Sequence, residues 1–303
     1  MKICTKKSAK FRNEFCRFIV FGMLRQATLL DDTNIREKSC DLKGNYGNST
    51  IFAKLKVTKM SDLLTYLKEE KEAKRKGGLY HKTQVNLAYN SNRIEGSKLT
   101  EEQTRYIFET RTIGFKDQEA VPVDDIIETS NHFVAFDYLF DTIDTPLLNT
   151  LIKEFHRILK TGTSDATKKW FKLGEWKKIP NEVGGIATTL PQNVEKDMNQ
   201  LNDWYNSLDQ VIFENIVEYH YRFETIHPFQ DGNGRVGRLI MFRECLKNDI
   251  IPFIIDDNHK QFYYRGLKEF ENARGYLIDT CLSAQDTYLE WVKYFYGANI
   301  STQ

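Results

Sequence analysis

Residues 227–238 read His-Pro-Phe-Gln-Asp-Gly-Asn-Gly-Arg-Val-Gly-Arg, bringing a base, an acid, three glycines and two arginines into twelve positions. His227 is the one group here able to take a proton near neutral pH. Asp231 offers a hard oxygen ligand to Mg²⁺, which keeps several waters and completes its shell with substrate phosphates. Gly232-Asn233-Gly234 lets backbone N–H groups converge, with no Cβ in the way, where a helix begins near Gly234. Such a helix start binds phosphate. Arg235 and Arg238 stand three apart, on neighbouring turns of one face, and both can reach anionic oxygens. Phe229 is expected to point into the core and anchor the loop. A lone His or Gly-x-Gly would read as a packed imidazole or a tight turn. Here eight fixed positions coincide, a chance on the order of 10⁻⁸ per chain at average composition.

Two further groups are smaller. Ser91 and Glu95 are four apart and share a helix face, and Gly96 suits a helix C-terminus that needs positive φ. Alone, this is also what an ordinary helix end looks like. Val183-Gly184-Gly185-Ile186 suggests the turn of a short hairpin, which in isolation is equally a surface loop.

Most of the elements that must hold these residues are helical. Apolar spacing predicts helices over 61–76, 79–94 and 124–140, and a Thr100/Gln103 capping box starts another that runs to about residue 112. Thr145 as N-cap and Pro146 in the first helical position predict a helix over 146–159. Further helices are expected over 192–207, 211–225, 234–248, 259–272 and 284–296. Between Gly174 and Leu190 the helical period disappears, and residues 176–180 and 184–189 suggest two extended pieces around a turn. There is no βαβ alternation and no repeat. The fold class expected is therefore mainly α with one hairpin.

The bulk numbers exclude several functions. Of 303 residues, 43 are Lys or Arg and 42 are Asp or Glu, so no global field attracts nucleic acid. The charged run over 68–76 interleaves both signs and reads as a solvated helix face. Cys4, Cys16, Cys40, Cys245 and Cys281 show no CxxC spacing, which argues against zinc and a disulfide framework. Cys245 and Cys281 read as core thiols. The early apolar run over 18–24 is too short to span a membrane and lacks a signal-peptide layout. No nucleic acid, no membrane and a cytoplasmic setting are the expectations. Residues 1–59 lack a long helical period and are expected to be a peripheral or poorly ordered extension. N-terminal helices over 60–122 and a catalytic core over 123–297 follow.

With these residues in view, the chain resembles the Fic family of the Fic/Doc superfamily over residues 60–296. The family signature, His-x-Phe-x-[Asp/Glu]-Gly-Asn-Gly-Arg-x-x-Arg, is met at every position. The resemblance implies a Fic-type helical bundle with a small β-hairpin flap. It implies a protein adenylyltransferase that moves AMP from Mg·ATP to a Ser, Thr or Tyr hydroxyl of a target protein, with self-modification and a homo-oligomer as further possibilities. His227 would take the hydroxyl proton, and Asp231 would hold Mg²⁺ on the α- and β-phosphates. The phosphate chain would lie on Gly232, Asn233, Gly234, Arg235, Val236, Gly237 and Arg238. The flap, Val183, Gly184, Gly185 and Ile186, would cover the nucleotide and clamp the target by strand addition. Tyr263, Tyr264 and Asn272 would build the adenosine pocket, with Asn272 one residue further along than the family spacing. The Doc kinases have Lys in place of Gly234 and transfer the γ-phosphate, so Gly234 favours AMP transfer. Ser91, Glu95 and Gly96 match the family's inhibitory pattern, [Ser/Thr]-x-x-x-Glu-[Gly/Asn], in which the Glu pairs with Arg238 where the γ-phosphate belongs. Two alternatives stay open: Glu95 activating water to remove AMP, and a nucleotide-sensing interaction module without turnover.

Overall fold

A central helix, buried on every side, organises the molecule. The computed structural model describes residues 61–114 and 120–297, so the expectation for residues 1–59, including Cys4, Cys16 and Cys40, lies outside the described residues. The first helices are α1 (Ser61–Glu72), α2 (Leu79–Ile94), α3 (Glu101–Thr110), α4 (Val123–Asp141) and α5 (Asn149–Lys160). A hairpin of β1 (Glu182–Val183) and β2 (Ile186–Ala187) follows. Then come α6 (Pro191–Asn206), α7 (Phe213–Ile226), α8 (Asn233–Lys247), α9 (Lys260–Lys268) and α10 (Gly275–Phe295). The mainly α expectation is borne out.

Every residue of α8 from Asn233 to Leu246 is buried, as expected of a helix packed on all faces. α1, α2, α4, α5 and α7 all pack against it. The main core joins Val236, Leu239, Ile240 and Phe242 of α8 to Phe136, Phe155, Phe223 and Phe229. Phe229 is wholly buried. A smaller cluster of Ala88, Leu99, Ile107 and Phe133 fixes α2 to α3 and α4. Cys245 and Cys281 are free and buried. The capping box at Thr100 forms: its Oγ1 accepts from the Gln103 N–H at 3.1 Å, and Gln103 Oε1 accepts from the Thr100 N–H at 3.0 Å.

Several expected boundaries differ: α1 ends at Glu72 rather than 76 and α9 at Lys268 rather than 272, and three other differences have a tertiary reason. α5 begins at Asn149 rather than Pro146. The carbonyls that would start it earlier are taken elsewhere: Thr145 O accepts from Arg243 at 2.5 Å, and Leu147 O from Asn206 at 2.8 Å. α10 starts at Gly275, nine residues before the expected position. Its buried stripe of Leu277, Cys281, Tyr288 and Val292 begins with Leu277 against Gly266, where an added Cβ would lie 2.7 Å from Leu277 Cα. The hairpin pairs Glu182 with Ala187 and Val183 with Ile186, so its first strand is not the expected 176–180. Gly184 and Gly185 have φ of 56° and 79°, the backbone of a tight two-residue hairpin turn. Residues 176–180 instead lie along the loop after α7, where the Lys177 N–H donates to Pro228 O at 2.8 Å.

Candidate active site

The loop between α7 and α8 is shaped by its own side chains. α7 ends at Ile226, and His227 follows it in the left-handed region with φ 50°. That conformation is uncommon for a non-glycine residue, and it turns the imidazole out of the helix. Asn233 closes the loop: its Oδ1 accepts from the Phe229 N–H at 2.8 Å, and its Nδ2 donates to Phe229 O at 2.9 Å. The His156 ring stacks on Phe229 at 4.0 Å. Gly232 is the N-cap of α8 with φ 84° and supplies no side-chain cap. The first N–H groups of α8 therefore lack a capping side chain, a geometry that suits an anion.

His227 is largely buried and its Nδ1 lies 3.9 Å from Glu224 Oε2. Burial, reinforced by the Lys177 ammonium and opposed by Glu95 and Asp231, pushes its pKa from 6.5 down to about 4. The ring is neutral at pH 7 and able to accept a proton. Burial also pushes the Glu224 carboxyl up to about 8, with Glu95 adding to the effect and Arg238 opposing it.

Asp231 has a side chain 47% exposed, and its Oδ2 accepts from Lys160 at 2.6 Å and Arg235 at 3.0 Å. Burial works against its charge, but Arg235 and Lys160 hold it well below the usual carboxylate range. Arg235 also pairs with Glu128 on α4. Arg238 faces the other way. Its Nη2 donates to Glu95 Oε1 at 2.6 Å and to Ser91 O at 2.9 Å, while its Nε donates to Ser91 Oγ at 3.0 Å. An added Cβ on Gly234 would clash with Glu95 Oε1 and lie 2.8 Å from Arg238 Nη1. Glu95 thus lays its carboxylate across the start of α8. Gly96, with φ 99°, ends α2 behind it.

Not every residue of the motif faces this place. Val236 is fully buried in the core, and a Cβ on Gly237 would lie 2.7 Å from His220, so both are packing positions. Tyr263 is buried and its hydroxyl meets His220 Nε2 at 2.6 Å. The Tyr264 hydroxyl donates to Ile94 O at 3.0 Å, tying α9 to the end of α2. Asn272 is exposed in the turn after α9. The hairpin residues Val183, Gly184, Gly185 and Ile186 are all exposed.

Three participants were not legible from the sequence. Lys160, Glu128 and Lys177 are ordinary charged residues until the fold buries them. Lys177 Nζ donates to Asn181 Oδ1 at 2.7 Å, Thr188 Oγ1 at 2.6 Å and Ile226 O at 3.2 Å. It joins the base of the hairpin to the segment bearing His227. Burial without a carboxylate partner pushes its pKa down to about 8.

The Fic/DOC family model matches residues 146–245, which include the whole loop and α8. A protein adenylyltransferase Fic of Nematostella vectensis is 31% identical over 191 residues, covering 60% of this chain and 42% of that protein. Its counterpart in Aedes aegypti is 33% identical over 188 residues, 58% of this chain and 35% of that one. The chain thus spans less than half the length of these curated relatives. Among solved structures, a Fic-domain signalling protein of Bacteroides thetaiotaomicron superposes with a TM-score of 0.58 at 25% identity, covering 78% of this chain and 90% of that one. Fic-1 of C. elegans, residues 134–508, has a TM-score of 0.57 at 18% identity, covering 80% and 73%, and shares the fold.

Proposed function

We propose, on the footing that residues 146–245 match the Fic/DOC family model, that the protein transfers AMP from ATP to a hydroxyl side chain of a protein. The observation that carries the reading is the loop after α7, where a neutral His227, an ionised Asp231 and the uncapped start of α8 stand within one turn of chain. The triphosphate would lie on the α8 N-terminus, its charge met by the free N–H groups and the helix dipole. His227 takes the proton of the attacking hydroxyl. The hydroxyl oxygen bonds to the α-phosphorus, the bond from that phosphorus to the β-bridging oxygen breaks, and pyrophosphate leaves.

Among the described residues no cluster of three or more His, Cys, Asp or Glu forms a metal cage. One half-exposed carboxylate does fit Mg²⁺, which takes one or two carboxylates and completes its shell with phosphate oxygens and water. Asp231 would hold the ion, and its chemistry there would be to neutralise charge on the phosphates. Exposed Val183 and Ile186, on either side of the hairpin turn, would meet an extended target segment. No helix among the described residues is long and apolar enough to cross a membrane.

Glu95 is an internal brake in this reading. Its carboxylate occupies Arg238, the cation otherwise available to the far end of the phosphate chain. ATP held without that partner does not align its α-phosphate. Incubating wild type, Glu95→Gly and His227→Ala with ATP labelled at the α-phosphate tests the proposal. Label should reach protein weakly in wild type, strongly in Glu95→Gly and not in His227→Ala. Label lost from pre-modified protein only when Glu95 is present would instead favour AMP removal. Retained nucleotide without transfer in any variant would leave a binding module.

A further inference from the structure

Three carboxylates from three segments converge on one buried ammonium. Lys160, the last residue of α5, has a side chain only 2% exposed. Its Nζ lies 2.5 Å from Glu128 Oε1 on α4, 2.8 Å from Asp165 Oδ2 on the 3₁₀ turn Ser164–Thr167, and 2.6 Å from Asp231 Oδ2. The Phe171 ring lies beside it, with its centroid 5.6 Å from Nζ. The lysine stem runs beneath the loop, where a Cβ on Gly232 would touch Lys160 Cδ at 3.7 Å. Arg235 closes the nest from α8 by bonding Glu128 and Asp231, and Lys168 pairs with the outer side of Asp165 at 2.5 Å. Three carboxylates thus meet three cations.

We propose that Lys160 is a built-in cation on Asp231, fixing the carboxylate and withholding it from a free divalent ion, so that the ion enters only together with nucleotide phosphates. The inference rests on the reading of Asp231 as the metal ligand. The physical argument is charge and position. A hard divalent ion is drawn to uncompensated oxygen ligands, and here Asp231 Oδ2 and both oxygens of Glu128 and of Asp165 already pair with nitrogen donors. With three cations already balancing the three carboxylates, the nest has no net negative charge to hold a free dication, whereas a triphosphate brings negative charge with the ion. Lys160 is in this sense a positioning residue: it acts through Asp231 and has no part in the transfer step.

The test is Mn²⁺ binding to the full chain, followed by electron paramagnetic resonance. It is run with and without α,β-methylene-ATP, which cannot donate AMP. Wild type should bind Mn²⁺ only with the nucleotide. Lys160→Met should bind free Mn²⁺ at least about tenfold more tightly than wild type, and Asp231→Ala in the same chain should abolish that gain. Lys160→Gln, which keeps a hydrogen-bond donor without the charge, should behave like Lys160→Met; recovery of the wild-type pattern would assign Lys160 a packing role and overturn the proposal. Nucleotide-free Mn²⁺ binding at Asp231 in wild type would overturn it too, and this measurement needs no variant of Lys160 to fold. A separate outcome addresses the metal ligand itself. If Asp231→Ala in the wild-type background keeps nucleotide-dependent Mn²⁺, the assignment of Asp231 falls, whatever Lys160 does.

Discussion

Arg235 and Arg238 sit three residues apart on one helix and are almost equally buried, yet they are held in opposite ways. Arg235 bonds Glu128 and Asp231, and both carboxylates are shared with Lys160. Glu128 lies on α4, which packs directly on α8, and Asp231 in the loop that leads into it. Arg238 has one carboxylate partner, Glu95, whose side chain is 30% exposed at the end of α2, plus two oxygens of Ser91. Glu95 can swing toward solvent while Ser91 stays in place. A network in which each charge has several partners is part of the scaffold; a single carboxylate partner is a contact that a phosphate can replace.

The largest effect should come from the base that serves both sides. In a Glu95→Gly background, His227→Ala should lower label incorporation by about 10²–10⁴-fold, the usual worth of a general base, with the melting temperature little changed. Transfer persisting at the Glu95→Gly rate would remove His227 from the chemistry. Next is release of Arg238: Glu95→Gly alone should raise incorporation on the order of tenfold to a hundredfold, an ordinary coupling free energy. Equal rates for parent and variant would make the Glu95–Arg238 pair as structural as the Arg235 network.

The third prediction sets the two arginines against each other by stability. Arg235→Ala leaves Glu128 and Asp231 to share Lys160 alone and should cost about 3 kcal/mol in urea unfolding, the low end for losing one partner of a buried ion pair. Arg238→Ala leaves Glu95 able to reach water and should cost about 1–2 kcal/mol. Similar losses for both would erase the distinction between scaffold and replaceable contact.

The smallest effect concerns pH. The folded pKa of His227 is depressed to about 4, so the ring is neutral, and active as a base, above that value. Transfer by Glu95→Gly should therefore change less than about twofold between pH 7 and 5.5, where an unperturbed imidazole would be mostly protonated. The same sign governs stability. The unfolded chain binds a proton near pH 6.5 that the folded ring refuses until about pH 4, so this contribution is present above 6.5 and lost as pH falls toward 4. A titration of the His227 ring by NMR with a midpoint near 6.5 would contradict both statements.

Much of this was legible in the chain itself. The twelve residues from His227 carry their chemistry in their types, and the positive φ of Gly232 is a conformation that favours a residue without a Cβ. Helices such as α2, and the capping box at Thr100, follow from local spacing and local hydrogen bonds, which depend on neighbours in sequence. In three places where sequence reading missed, a distant partner had intervened. Arg243 and Asn206 took the carbonyls that would have begun α5 at Pro146. Gly266 opened the seat on which Leu277 starts α10 early. The strand expected over 176–180 gave way because Lys177 is bound to the loop of His227.

The site divides along the same line. The sequence alone determined that an imidazole, a carboxylate, a glycine-rich helix start and two arginines would lie together, because these are adjacent along the chain. It also placed Ser91 and Glu95 on one helix face, since a four-residue step returns to the same side of an α-helix. Only the tertiary structure decided that this face meets Arg238 rather than solvent, 143 residues away. Only it turned Lys160, at the charged end of an amphipathic helix, into a buried cation among three carboxylates. Charge and burial are properties of a residue's surroundings, and those surroundings are assembled from segments that sequence spacing does not relate.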